Sequence, residues 1–304
     1  MTSHGQMPKE IQTPDGSVAV KRHVYQPAGG GRTYIPLDGA ACIVVTSAPK
    51  LDVAVASVSV GLDGTCMMLV EDGWREARVG TVSLYDADGQ RLHTVYRAAS
   101  PEYGKATFLA ALAQEVTRAR DAYPTATVVG LADGAQSNGD FLEAHTTQQT
   151  IDFYHVSEYL HSVAAVVFPG ADARKAWLDD ACHRLKHQPR APTALLRELR
   201  AFSDRPLSRT GRETLAAAVT YFENQTPRMT YAKNLAAHLP IGSDVTEAAC
   251  KVIVKERMCI SGGRRWTERG AATVLSLRCL THTQGRWEDF WAKVDRYGFS
   301  LAFV

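Results

Sequence analysis

The chain has 304 residues, 45% hydrophobic and 22% charged, enough for one large globular domain or two modest ones. A net charge of +2 excludes nucleic-acid binding through bulk charge, so any such surface must be local. No window approaches the ~18 apolar residues of a membrane span, and the opening MTSHGQMPKE lacks the apolar core of a signal peptide. Six cysteines without a C-x-x-C pair point to reduced thiols in a cytoplasmic protein.

Residues 1–50 read as loop-rich. TPDGS, QPAGGGR and PLDG are turn clusters, with short β-prone runs at Val18–Tyr25 and Cys42–Thr46. From Val53 the pattern changes. VAVASVSVGLD alternates as a strand that ends at Asp63-Gly64. Cys66–Val70 and Ala77–Tyr85 read as the next strands, with a turn at Glu71-Asp72-Gly73, and Arg91–Arg97 as a further one after Asp86-Ala87-Asp88-Gly89. Tyr103–Tyr123 has helical spacing of Phe108, Leu109, Leu112, Val116 and Ala119, and Pro124 stops it. Thr125–Ala132 is the continuously apolar run of a buried parallel strand, again ending in Asp-Gly. Phe141–His145 reads as a short helix, Thr150–Tyr154 as a small strand and Val156–Val167 as a helix.

The expected order is β, β, β, α, β, α, β, α in one mixed sheet. In open α/β sheets ligands gather at the carboxyl ends of strands. Asp63 and Asp133, each followed by glycine, stand side by side there if their strands are neighbours. Taken singly, either aspartate is equally an ordinary turn residue.

Residues 170–240 offer helices at Ala173–Leu185, Thr193–Phe202 and Gly211–Glu223 and no strand. Ile241–Met258 then reads as a helix with a marked start. Gly242 breaks what precedes, Ser243 is placed to cap, and Asp244 sits at the positive end of the dipole. Val245, Ala248, Ala249, Val252 and Ile253 form its apolar stripe. Glu247 followed by Lys251 is either a surface ion pair or one member of a carboxylate set with Asp63 and Asp133. Such a set suits hard cations such as Mg²⁺, which activate and stabilise oxygens in phosphoryl transfer. Between Ser243 and Arg278 seven Lys/Arg face four Asp/Glu. Lys251, Lys255, Arg264 and Arg265, with Trp266, suit phosphate contact, although a solvated helix face explains Lys255 as well. His183 and His187 lack a third ligand and read as a solvated face. A helix near Ala271–Leu280 precedes the aromatic tail of Trp287, Phe290, Trp291, Tyr297 and Phe299, which reads as a set of core anchors.

These segments resemble the DDE transposases of bacterial insertion sequences, most closely the ISKra group. The resemblance rests on VSVGLDGTCMMLVEDGWREARVGTV, SPEYGKATFL, VVGLADGA, DFYHVSEYL, RMTYAKNLAAHLPIGS, VTEAACKVIVKERM and RRWTERGA with LSLR, and runs from about Val58 onward. IGSDV stands where that family usually has IGSG, and SGGRRW where it has SGMRW. The resemblance implies an α/β fold of ribonuclease-H-like type: a mixed sheet with an all-helical insertion before the last catalytic helix. Residues 51–169 would begin that core, 170–240 form the insertion, 241–304 complete the core, and 1–50 be a shortened remnant. It implies Asp63, Asp133 and Glu247 as the acidic triad holding Mg²⁺, with Mn²⁺ as a substitute, for DNA cleavage and strand transfer. It matches Asp152-Phe-Tyr-His155 to a D-x-x-H pattern, so His155 either positions the scissile phosphate or is structural. The implied partners are double-stranded DNA (transposon ends and target) and further copies of the chain on it, with no membrane. A nuclease of the same fold and a silent DNA-binding remnant of a decayed element are the rivals.

Overall fold

The structure is a computed structural model that describes residues 2–13, 16–26, 51–100, 104–132, 134–260 and 265–297, with backbone alone for 2–26, 136–137 and 293–297. Two strands, β1 (Thr2–Thr13) and β2 (Gly16–Gln26), pair antiparallel as a separate two-stranded sheet. The loop-like reading of residues 1–50 is therefore corrected over these two stretches, which pair as far as Thr13 with Gly16.

The main sheet has five strands in the order β5-β4-β3-β6-β7: β3 (Ser57–Leu69), β4 (Gly73–Tyr85), β5 (Arg91–Ala99), β6 (Thr127–Ala132) and β7 (Gln148–Ile151). The first three form an antiparallel meander, and β6 and β7 add parallel to β3. Parallel neighbours need crossovers, supplied by α1 (Lys105–Ala122) and α2 (Gln136–His145). The protein is thus α/β, built on a mixed sheet.

Two strand expectations are corrected: Thr150–Tyr154 is strand only to Ile151, with Phe153 and Tyr154 opening the helix Phe153–Val167, and the strand carrying Asp63 is longer than expected. Asp63-Gly64 does not end β3; Asp63 pairs with Val79 and Gly64 with Arg78, and the ladder continues to Leu69–Gly73. The local turn cue lost because β4 is long enough to pair along the whole of it. The two Asp-Gly pairs therefore differ. Gly134 has φ +101, a conformation that favours glycine, whereas Gly64 is an ordinary strand residue.

Alternation along β3 gives each face its own core. Val58, Val60 and Leu62, with Val82 and Leu84 of β4, meet Phe108, Leu112 and Val116 of α1. On the other face Met67, Leu69, Ala77 and Val79 meet the late helix that carries Glu247, together with Ala271 and Leu275. That late helix consists of α8 (Asp244–Ala249), a π-helical stretch (Cys250–Lys255) and α9 (Glu256–Met258).

After β7 come α3 (Phe153–Val167), α4 (Ala171–His187), α5 (Ala191–Ala201), α6 (Arg209–Gln225) and α7 (Tyr231–Ala236). Residues 170–240 contribute helices and no strand. Leu160 of α3, Ala181 and Leu185 of α4, and Leu215 and Phe222 of α6 are buried in the same cluster as the α1 face of the sheet. The chain closes with α10 (Glu268–His282) and α11 (Arg286–Tyr297). Trp287 stacks on Phe290, but Trp291 is 43% exposed and so is not the core anchor expected of it. Phe299 lies outside the described residues.

Candidate functional site

The late helix lies directly on β3 because Gly61 has no side chain. A Cβ at residue 61 would stand 2.1 Å from the Thr246 hydroxyl oxygen. That hydroxyl instead pairs with Thr81, the cross-strand neighbour of Gly61, at 2.7 Å. One turn further along, the Cys250 thiol donates to Asp63 Oδ2 at 3.3 Å. Asp63 lies two residues past Gly61 and so on the same face; its Oδ1 accepts the Gly64 N–H at 2.6 Å. Burial pushes the Cys250 thiol well above its usual range, and the charge and hydrogen bond of Asp63 push it further. Glu247 acts on the same thiol in the same direction. The thiol is thus held against Asp63 and stays protonated.

Glu247 is exposed and accepts a hydrogen bond from the Ser243 hydroxyl at 3.3 Å. Among the described residues it makes no ion pair with Lys251 or Lys255. Ser243 occupies the N-cap position without capping through its side chain, which corrects the expectation from sequence. Its main-chain carbonyl accepts the N–H groups of Thr246 and Glu247 instead. The apolar stripe is also rotated from the expected one. Thr246, Ala249, Cys250, Ile253, Val254 and Met258 are buried, while Ala248 is exposed and Val245 and Val252 are half-buried. The close approach over Gly61 selects this face, since only a residue as small as threonine fits there.

The helix widens to i→i+5 hydrogen bonding from Cys250 to Lys255, immediately past the two carboxylates. Single π turns inside α-helices are frequent at functional sites. The guanidinium of Arg278, from α10, donates to the carbonyls of Ile253 (2.9 Å) and Val252, bracing the widened turn. Sequence reading missed Cys250 and Arg278; neither has a signal outside the folded chain.

Asp152 is fully buried at the start of α3. Its Oδ1 accepts from Tyr154 N (2.5 Å) and His155 N (3.3 Å), and its Oδ2 accepts from Ser243 N at 2.5 Å. Its own N–H donates to the carbonyl of Ala132 at 2.7 Å. An aspartate before an apolar helix is a legible N-cap signal; the contact 91 residues away is not. His155 is half-buried in the first turn of α3, and its Nδ1 lies 3.5 Å from Glu158 Oε2.

Asp133 and Arg264 lie outside the described residues. Lys251, Lys255 and Arg265 are exposed. Trp266 is half-buried and fixed. Its indole N–H donates to Met258 O at 3.1 Å, its main chain bonds to Met68 O and Val70 N, and the Arg257 guanidinium covers its ring. It joins the end of β3 to the end of the late helix. A cleft of about 440 Å³ bordered by Tyr85, Arg91, Tyr154, Gly242, Asp244 and Val245 opens at the start of the late helix, and Glu247 does not line it. The His183 and His187 rings lie 4.6 Å apart, and among the described residues no group of three or more His, Cys, Asp or Glu is arranged to hold a metal ion. Nor is any described helix long and apolar enough to cross a membrane. No protein-family model matches the chain, and no curated protein matches it.

Proposed function

We propose that this chain is the catalytic core of a DDE transposase that cleaves and joins DNA strands by metal-dependent phosphoryl transfer. One observation carries the reading: Asp63, on the central strand, and the Glu247 helix meet on one face of β3, around Cys250. The strand order supports it. A meander of three antiparallel strands, with two parallel strands added beside the first, is the order of the ribonuclease-H-like fold. The register supports it as well. Gly61 pairs with Leu131, and Asp63 and Asp133 follow those partners by the same two residues.

The donor set suits a hard cation. Asp63 and Glu247 offer carboxylate oxygens, and Asp133, two residues beyond Leu131, would be the third. Bound Mg²⁺, or Mn²⁺ in its place, would supply charge stabilisation to the entering and leaving oxygens of a phosphodiester. The chain's own part is to hold Asp63 on a rigid strand, to seat Glu247 through Thr246 and Ser243, and to offer exposed Lys251, Lys255 and Arg265 to DNA phosphates. Double-stranded ends and target, bound by more than one copy of the chain, complete the reading.

The test is Mg²⁺-dependent cleavage of plasmid DNA and joining of 3′-hydroxyl ends to a labelled duplex. Glu247→Gln should lower both by at least about 100-fold, as expected for a lost charge-stabilising group, while duplex binding persists. Cleavage without joined product identifies a nuclease of the same fold. Absence of cleavage in the unaltered protein with Mg²⁺ and with Mn²⁺ leaves a silent DNA-binding remnant.

A further inference from the structure

We infer that Asp152 is a positioning residue: its buried carboxylate sets where the Glu247 helix begins relative to the ends of β6 and β7. This rests on the proposed function only for its catalytic consequence. Three segments distant in sequence meet at this one residue, two of them at its carboxylate. Its N–H holds Ala132, the last residue of β6. Oδ1 caps α3 through Tyr154 and His155, and Oδ2 takes the N–H of Ser243, directly before α8. Beside it Phe153 N donates to Ile241 O at 3.0 Å, so the entry to the late helix is bonded twice to the start of α3. Ser243 in turn contacts Glu247 through its hydroxyl and its carbonyl. The path from the end of β6 to Glu247 therefore runs through the main chain of Asp152 and then through its carboxylate, on a residue with no exposed surface.

The two oxygens can be separated chemically. Asp152→Asn keeps an oxygen for the α3 cap, a position asparagine fills as well as aspartate. It places an NH₂ group against the Ser243 N–H, donor facing donor. Asp152→Ser keeps the cap with a shorter side chain and leaves the Ser243 N–H without its acceptor. Amide hydrogen exchange on the full chain reads the result without reference to activity. In either variant the amides of Ser243, Thr246 and Glu247 should exchange at least about tenfold faster, while those of α1 keep their rates. The second readout is the Mg²⁺ concentration giving half-maximal cleavage. It should rise several-fold in Asp152→Asn, with a smaller change in the rate at saturating Mg²⁺, a split that a general loss of stability would not produce.

Unchanged exchange at residues 243–247 in both variants would overturn the inference. So would faster exchange with an unchanged Mg²⁺ requirement, provided that Glu247→Gln abolishes cleavage. If Glu247→Gln cleaves normally, the proposed function fails instead, and the exchange rates alone decide the role of Asp152.

Discussion

Replacing Gly61 by alanine should push the Glu247 helix off the sheet. The new methyl would lie 2.1 Å from the Thr246 hydroxyl oxygen and 3.2 Å from its Cβ, whereas ordinary contact begins near 3.4 Å. Thr246 is buried and β-branched, so turning its side chain sacrifices the Thr81 hydrogen bond and brings a methyl into the same space. Overpacking of this kind costs about 1–3 kcal/mol, and a buried hydroxyl left without its partner about 1–3 kcal/mol. If the helix yields instead, Glu247 moves by more than about 1 Å relative to Asp63, enough to cost on the order of 100-fold in a positioned reaction. Urea unfolding of Gly61→Ala should therefore show a loss of about 2–3 kcal/mol. In a Thr246→Ala background the same change should cost under about 1 kcal/mol, giving a coupling of at least about 1 kcal/mol, as contacting residues show. Strict additivity of the two changes, or a Gly61→Ala protein within about 0.5 kcal/mol of the parent, would refute the claim that the absence of a side chain at 61 seats the helix.

Other perturbations probe the frame around the site. Arg278→Met should remove the brace from the Val252 and Ile253 carbonyls and cost about 1.5–3 kcal/mol, the range for hydrogen bonds to charged groups; denaturant unfolding checks it. Glu115, buried between β5, α1 and α11, meets Arg97, Arg118 and Arg286. Burial alone raises its carboxyl pKa, but these arginines outweigh burial and hold it below the usual carboxylate range. Its folded pKa is depressed, so its contribution is present at neutral pH and disappears as pH falls below about 4.5. Glu115→Gln should cost about 3 kcal/mol at pH 7, the low end for a broken buried ion pair because Arg97 is partly exposed, and flatten the acid limb of the stability curve. His93 is buried and its pKa is lowered, first by burial and then by Arg286. The unfolded state then takes up the proton first, and stability should begin to decline as pH falls below about 6.5; in His93→Gln that early decline should be absent from thermal melts recorded across pH 5–7.

Elements whose cues are local are legible in the amino-acid sequence. The 3.6-residue spacing of Phe108, Leu112, Val116 and Ala119 marks α1, and the β-branched runs around Val60, Val82 and Val129 mark three strands of the sheet. These patterns lie within one turn or a few rungs, so a short window contains them. The same window contains the N-cap role of Asp152. It holds neither the Ser243 N–H that occupies the other oxygen of Asp152, nor the Asp63 that receives the Cys250 thiol, nor the carbonyls that Arg278 braces. Tertiary structure alone decided which side of the late helix is buried. Alternate apolar faces were open to it, and Gly61 beneath Thr246 favoured the one that allows the closest approach. Tertiary structure also decided that two identical Asp-Gly pairs behave differently. Gly64 has a strand beside it to pair with, while Gly134 turns the chain where β6 has just ended. A dipeptide carries its own conformational preference but not the identity of its neighbours, and the neighbours supply the hydrogen bonds that choose between turn and strand.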